Sequence, residues 1–375
     1  MRTIVVASAC LLSLGAATWE HSKRTRWIGR WTQKKKFAGQ PVDAWLYWCA
    51  PPHDKEEWVY MPVMESVAEG LRRFNANASV AYADASVSVD IPEAARALRA
   101  TTGRKTLVIL FGWWNRRIAA SQALFARLGR DENVYLVLYQ SEPLAHAFTV
   151  RPSFYGAREL WDYSAGNLAL LRRRKDQTGP AILRFVPPGF VPRRALVRGD
   201  EVDDAATPAQ AGFVGRRASR APWLARNPAL KAAVAPGPAF TWTALADLLR
   251  RAPLQVVLHR TEQPGYAFES LRGAVLAANR VCVLAQKSAP EDEKVWAGVV
   301  HFEHSSANLT ARIGRLLGDP AALARCRRQT YHVFRHRFDV AAIFRRAQVP
   351  DLLRSLGWRL PPRSGEGRAQ GRVHK

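Results

Sequence analysis

Leu254-Gln255-Val256-Val257-Leu258-His259 and Val281-Cys282-Val283-Leu284-Ala285 are two short, almost wholly apolar runs. Between them, Phe268 to Ala278 repeats apolar residues at three- and four-residue steps, the period of a helix with one buried face. Strand, helix and strand in that order imply parallel pairing by a crossover, and apolar character along the whole of each strand implies burial on both sheet faces.

The same alternation extends outward. Downstream lie a strand at Val299–Phe302, helices at Asn308–Leu317 and Pro320–Arg337, and one last helix at Val340–Leu356 before a Gly/Arg-rich tail. Upstream lie a strand at Gly212–Gly215, a helical segment from Ser219 and another at Trp242–Arg250. Further back, apolar runs at Asp43–Trp48, Ser79–Tyr82, Thr106–Phe111, Val134–Tyr139 and Ala181–Val186 alternate with amphipathic stretches at Met64–Phe74, Pro92–Ala100 and Ala119–Leu128. Arg198–Gln210 is polar, acidic and alanine-rich, and this shift marks a domain boundary. The expected organisation is an apolar segment over 1–20, a basic linker over 21–40 and an N-terminal Rossmann-like lobe over 41–198. A linker over 199–210, a C-terminal Rossmann-like lobe over 211–340, a closing helix over 341–358 and a disordered tail over 359–375 complete it.

The chain has 375 residues, enough for two cores, and its 48% hydrophobic content excludes a disordered chain. The formal charge of +25 calls for anionic partners. The basic residues are spread along the chain instead of forming one arm, so phosphate-bearing substrates or lipids account for the charge better than nucleic acid does. The cysteines Cys10, Cys49, Cys282 and Cys326 show no metal-ligand spacing. Cys282 reads as a small buried hydrophobe, and Cys49 and Cys326 as either free or paired.

Thr3–Trp19 is apolar, follows Arg2 and carries Gly15, Ala16 and Ala17, the pattern of a signal peptide or short signal anchor. It is short for a membrane span, and Lys23, Arg24, Arg26, Arg30 and Lys34–Lys36 follow it. The expectation is entry to the secretory pathway, at the ER or Golgi, with membrane association through this segment. Sequons at Asn77 and Asn308 agree with that route.

In open parallel sheets the ligand lies beyond the carboxyl ends of the strands. The residues there in the second half are Gly215 with Arg216, Arg217 and Arg220, His259 with Arg260, and Gln286 with Lys287 and Ser288. A glycine between strand and helix lets a phosphate approach backbone N–H groups, and an arginine one turn on suits a diphosphate. Glu269 opens a helix, where a carboxylate suits the dipole and can also accept hydrogen bonds from ribose hydroxyls. Trp113 and Trp114 read as packing. His53, His301, His304, His332 and His336 show no metal spacing.

Taken in order, Val257-Leu258-His259, Gly265-Tyr266-Ala267-Phe268-Glu269-Ser270-Leu271-Arg272 and Ala278-Asn279-Arg280-Val281-Cys282-Val283 resemble the donor lobe of glycosyltransferases of the GT-B fold. Val299-Val300-His301-Phe302, the segment from Leu309 to Asp319-Pro320 and Phe334-Arg335-His336-Arg337-Phe338 resemble the end of that lobe. Tyr139-Gln140-Ser141-Glu142, Trp161-Asp162-Tyr163-Ser164, Asn167 and Val186-Pro187-Pro188-Gly189-Phe190 resemble its first lobe, most closely in the spore-coat and capsule glycosyltransferase-like group.

The resemblance implies two Rossmann-like lobes facing across a cleft. By it, Glu269 takes the ribose of the donor, Arg220 its phosphates and Gly215 the close backbone approach, with His259 and Arg272 in the same nucleotide site. Gln140, Asp162, Asn167 and Gly189 line the cleft, and Glu142 and His146 are the candidate bases should the reaction invert. Two departures are evident. Many such enzymes space two glutamates one residue further apart than Glu262 and Glu269 stand here, and Gln286 occupies a position where relatives often carry an acid.

The expected function is transfer of a sugar from a nucleoside-diphosphate donor to a glycan, protein or lipid acceptor, with no metal and no cofactor. A non-catalytic relative that binds nucleotide-sugar or glycan is the alternative, and a basic organelle protein binding nucleic acid the second.

Overall fold

The computed structural model describes residues 41–49, 57–75, 77–84, 90–112, 119–144, 156–173, 182–192, 210–215, 220–237, 242–259 and 266–361. The apolar N-terminal segment, the basic linker and the tail beyond 361 lie outside them, as do Trp113, Trp114, His146, Arg216, Arg217, Arg260, Glu262 and Gly265.

The first lobe is a six-stranded, wholly parallel sheet in the order β2-β1-β3-β4-β5-β6. Its strands are β1 (Ala44–Trp48), β2 (Val80–Asp84), β3 (Thr106–Phe111), β4 (Val134–Gln140), β5 (Glu159–Asp162) and β6 (Ile182–Phe185). Helices α1 (Glu57–Phe74), α2 (Ile91–Thr102), α3 (Ala119–Arg130) and α4 (Ala165–Arg173) provide the crossovers. β3 shows why the sheet is covered twice: all six of its residues are buried, with Leu107, Ile109 and Phe111 in one hydrophobic cluster and Val108 and Leu110 in another on the opposite face.

The second lobe is a five-stranded parallel sheet in the order β11-β10-β9-β7-β8. Its strands are β7 (Ala211–Val214), β8 (Val234–Gly237), β9 (Leu254–Val257), β10 (Cys282–Gln286) and β11 (Val300–Glu303). Its helices are α5 (Ala221–Arg226), α6 (Pro228–Ala233), α7 (Trp242–Arg251), α8 (Ser270–Ala278), α9 (Pro290–Trp296), α10 (Ser306–Gly318) and α11 (Pro320–Arg337). Strand order therefore reverses between β7 and β9, which makes that crevice the switch point at which a doubly wound sheet accepts ligands.

The expected single closing helix is two, α12 (Val340–Arg346) and α13 (Val349–Ser355). Gln348 adopts φ 55° between them and Pro350 follows, a residue that cannot continue a preceding helix. The pair returns to the first lobe, where Phe344 stacks on Phe74 and meets Trp161 edge-on. Arg184 closes the same seam: it grips the buried Glu159 through Nε (2.6 Å) and Nη2 (2.8 Å), and donates from Nη1 to Ala347 O. One apolar cluster thus runs from the first sheet through α1, α8, α12 and α13 into the second.

Cys282 and Cys326 are bonded to each other, joining β10 to α11 inside the core on the outer face of the second sheet. Cys282 is buried as expected but is not an unpaired thiol, a pairing that a separation of 44 positions in sequence conceals. Cys49 is free, and burial pushes its thiol pKa up.

Candidate functional site

Gly215 and Arg220 beyond β7 meet Leu258, His259 and Glu269 beyond β9 at the switch point. Gly215 follows β7 with φ 151°, and a Cβ there would stand 3.2 Å from the Arg272 guanidinium, so only glycine leaves this backbone open to an arginine or a ligand. Arg220, buried just before α5, spans the two loops by donating from Nε to Leu258 O (3.1 Å) beyond β9. Its Nη2 reaches Glu269 Oε1 at 2.8 Å, while Arg272 Nη1 holds Glu269 Oε2 at 2.5 Å. Both guanidinium groups lie over the Phe213 ring, at 5.5 and 5.9 Å from its centroid.

Glu269 occupies the N-cap of α8 yet makes no capping bond with its side chain. Arg220 holds one carboxylate oxygen from the β7 side and Arg272, in the first turn of α8, holds the other. Two cations around one anion leave this trio with a net positive charge, which favours a phosphate-bearing ligand.

His259 sits beside them with its backbone N–H on Gln286 Oε1 (2.7 Å) and its Nε2 2.9 Å from Ser288 Oγ. Ser288 Oγ donates to Gln286 O, so the shared proton on the histidine side belongs to Nε2 and Nδ1 is an acceptor. Nδ1 is buried and has no hydrogen-bond partner among the described residues. Burial lowers the imidazole pKa to about 4; Glu269 opposes the shift, and Arg220 and Arg272 reinforce it. The ring is therefore neutral at physiological pH.

A second polar group lies at the carboxyl ends of β4 and β5. Asn167 organises it, donating to Glu142 O (3.0 Å) and Asp162 Oδ1 (3.2 Å) and accepting from Leu144 N (3.0 Å). Gln140 also donates to Glu142 O. Gln140 Oε1, Ser141 Oγ, Asp162 Oδ2 and Tyr163 Oη are buried without hydrogen-bond partners among the described residues. Burial pushes the Asp162 carboxyl well above its ordinary range, and the charge on Asp292 adds to the effect.

Asp292 ties the two groups together. It projects from α9 in the second lobe, fully buried, and accepts from Ser164 Oγ (2.7 Å), Ala165 N (2.8 Å) and Gly166 N (3.3 Å) at the start of α4 in the first. It also accepts from Phe268 N (3.0 Å), immediately before Glu269. Ser270 Oγ adds a bond to Tyr163 O. One carboxylate thus indexes the arginine-bearing loops of one lobe against the polar strand ends of the other.

The residues expected from sequence divide accordingly. Gly215, Arg220, His259, Glu269 and Arg272 form one cluster, and Gln140, Glu142, Asp162 and Asn167 the other. Gly189 belongs to neither polar cluster: it lines an interlobe cavity with Pro62, Ala274, Val275 and Ala278, donates its N–H to Ser66 Oγ, and would meet Val340 if it bore a Cβ. His146 lies outside the described residues. Asp292 was not anticipated; its one sequence signal is Pro290 followed by three acids, the pattern of a helix start.

Cys282, His301 and Cys326 bring three potential ligand atoms within 4.8 Å of one another, a grouping that sequence spacing does not reveal. Both sulfurs are committed to the Cys282–Cys326 bond. Among the described residues no helix is long and apolar enough to cross a membrane.

No family model matches the chain, and no curated protein matches it in sequence. Solved structures do resemble it. Sucrose-phosphate synthase from Thermosynechococcus elongatus superimposes with a TM-score of 0.52 at 14% identity, covering 84% of this chain and 99% of that one. An alpha-glucosyltransferase in complex with UDP and a 13-mer DNA containing an HMU base does so with a TM-score of 0.51 at 10% identity, covering 84% of this chain and 100% of that one. At these identities the likeness speaks for the fold: two parallel α/β lobes in the GT-B arrangement.

Proposed function

We propose that the protein transfers a sugar from a nucleoside-diphosphate donor, bound at the β7/β9 switch point, to a hydroxyl-bearing acceptor in the interlobe cleft. The observation that carries this reading is Arg220, which bridges the loops after β7 and β9 and, with Arg272, concentrates positive charge against Glu269. A UDP complex in one fold neighbour supports the same ligand class.

In this reading Arg220 and Arg272 turn toward the diphosphate and stabilise the charge that develops on it as the glycosidic bond breaks, so no metal is needed. Glu269 then shares its oxygens with the ribose hydroxyls. Neutral His259 offers Nδ1 as an acceptor to a donor hydroxyl without adding a second buried charge. The acceptor lies against Gln140, Ser141, Asp162 and Tyr163, with Glu142 the candidate carboxylate for proton removal. The buried seam through Asp292 limits water at the reacting centre and so disfavours donor hydrolysis.

The test is turnover. Purified protein is incubated with UDP-, GDP- and ADP-sugars, with and without oligosaccharide and lipid acceptors, and release of nucleoside diphosphate is followed. Acceptor-dependent release that is lost in Arg220→Met supports transfer. Binding without release from any donor supports the non-catalytic alternative, and neither binding nor release overturns the proposal.

A further inference from the structure

We propose that Asn77 carries an N-linked glycan, added as the chain enters an oxidising lumen. The inference does not depend on the nucleotide-sugar reading. Two of the eight asparagines begin a sequon, Asn77-Ala78-Ser79 and Asn308-Leu309-Thr310, and both are exposed in the folded chain. The fully buried asparagines, Asn167 and Asn279, have no Ser or Thr two residues on.

Asn77 lies in the turn between α1 and β2, shaped by Asn75 Oδ1, which accepts from Asn77 N (3.1 Å), and by Ala78 N donating to Asn75 O. Ser79 is anchored through its N–H to Asp43 Oδ2 (2.8 Å). These bonds engage the backbone and leave the Asn77 side chain in solvent. The turn precedes β2, so it stands at the amino ends of the strands, opposite the cleft, where a bulky glycan obstructs neither lobe closure nor ligand entry.

Two features independent of the sequon indicate the compartment. The Cys282–Cys326 bond sits in the second-lobe core, and structural disulfides persist where the surroundings are oxidising. The apolar Thr3–Trp19 stretch after Arg2 has the composition of a secretory signal. The chemistry is transfer from a polyprenyl-diphosphate-linked oligosaccharide: the Asn77 amide nitrogen bonds to the anomeric carbon, the bond from that carbon to the diphosphate oxygen breaks with its electron pair leaving on the polyprenyl diphosphate, and the amide gives up a proton.

The full chain, with its own N-terminus, is produced in a eukaryotic secretory host and digested with peptide-N-glycosidase in heavy-oxygen water. The expected result is conversion of Asn77 to labelled Asp in the peptide spectrum, together with a gel shift reduced in Asn77→Gln and in Ser79→Ala but kept in Ser79→Thr. Asn308→Gln separates the contribution of the second sequon. Unlabelled Asn77 in the wild-type chain, whether other sites are labelled or none is, overturns the proposal; the peptide readout does not require any variant to fold.

Discussion

Asp292 of the second lobe accepts a 2.7 Å hydrogen bond from Ser164 Oγ of the first, and the same carboxylate caps the start of α4 and holds Phe268 N. Each of its oxygens takes two donors. An amide in its place keeps one acceptor oxygen and turns an NH2 group toward backbone N–H whichever way it is rotated. Asp292→Asn is therefore expected to cost about 2–3 kcal/mol, read as a lower urea midpoint. Gly166→Ala acts on the same seam, since its Cβ would overlap the Ala289 methyl and sit 3.1 Å from Asp292 Oδ2. An unchanged midpoint in both variants contradicts an interlobe latch.

Asp162 behaves differently although it too is buried. Its Oδ1 accepts from Ser164 N and Asn167 Nδ2, while Oδ2 has no hydrogen-bond partner among the described residues. An asparagine keeps both accepted bonds and places its NH2 where nothing is bound. The folded-state pKa is raised, so the native state holds a proton that the unfolded chain releases, and wild-type stability falls as pH rises through that pKa. Asp162→Asn should gain on the wild type between acid and neutral pH, the difference closing toward pH 4. A constant deficit at every pH would show that ionisation of this group does not matter.

His259 gives the opposite sign. Its pKa falls from an ordinary value of 6.5 to about 4 on folding, so the unfolded chain binds the proton first. Stability is intact above about pH 6.5 and declines as pH drops toward 4, by up to about 3 kcal/mol for this group alone. His259→Asn should flatten that part of the stability profile in chemical denaturation series. A profile of the same slope in the variant would place the acid sensitivity elsewhere.

The fold was legible because β3, β4, β9 and β10 are apolar along most of their length, as strands covered on both faces of a parallel sheet are. β5 and β8 were not read as strands: Glu159-Leu160-Trp161-Asp162 begins and ends in acids, and Val234-Ala235-Pro236-Gly237 contains Pro and Gly. Their positions come from neighbours, with Arg184 and the Trp161 and Tyr135 side chains satisfying Glu159. Gly215, Arg220, His259 and Glu269 were found from strand ends and from resemblance, and they converge. The Asp292 latch and the Cys282–Cys326 bond were hidden, because both join segments distant in sequence and neither has a local pattern that distinguishes it from a surface acid or a core thiol. Gly189, expected along the cleft, lines an interlobe cavity with Pro62 and Ala274, apart from both polar clusters.

The proposed transfer requires that the β7/β9 switch point bind a nucleoside diphosphate through Arg220 and Glu269. Isothermal titration of wild type, Arg220→Met and Glu269→Gln with UDP, GDP and ADP tests it most directly, with melting temperatures confirming that each variant is folded. Saturable binding of at least one of these to the wild type is expected, weakened in both folded variants by about tenfold or more, the equivalent of about 1.4 kcal/mol. Absence of binding by the folded wild type, or undiminished binding in both variants, would contradict it.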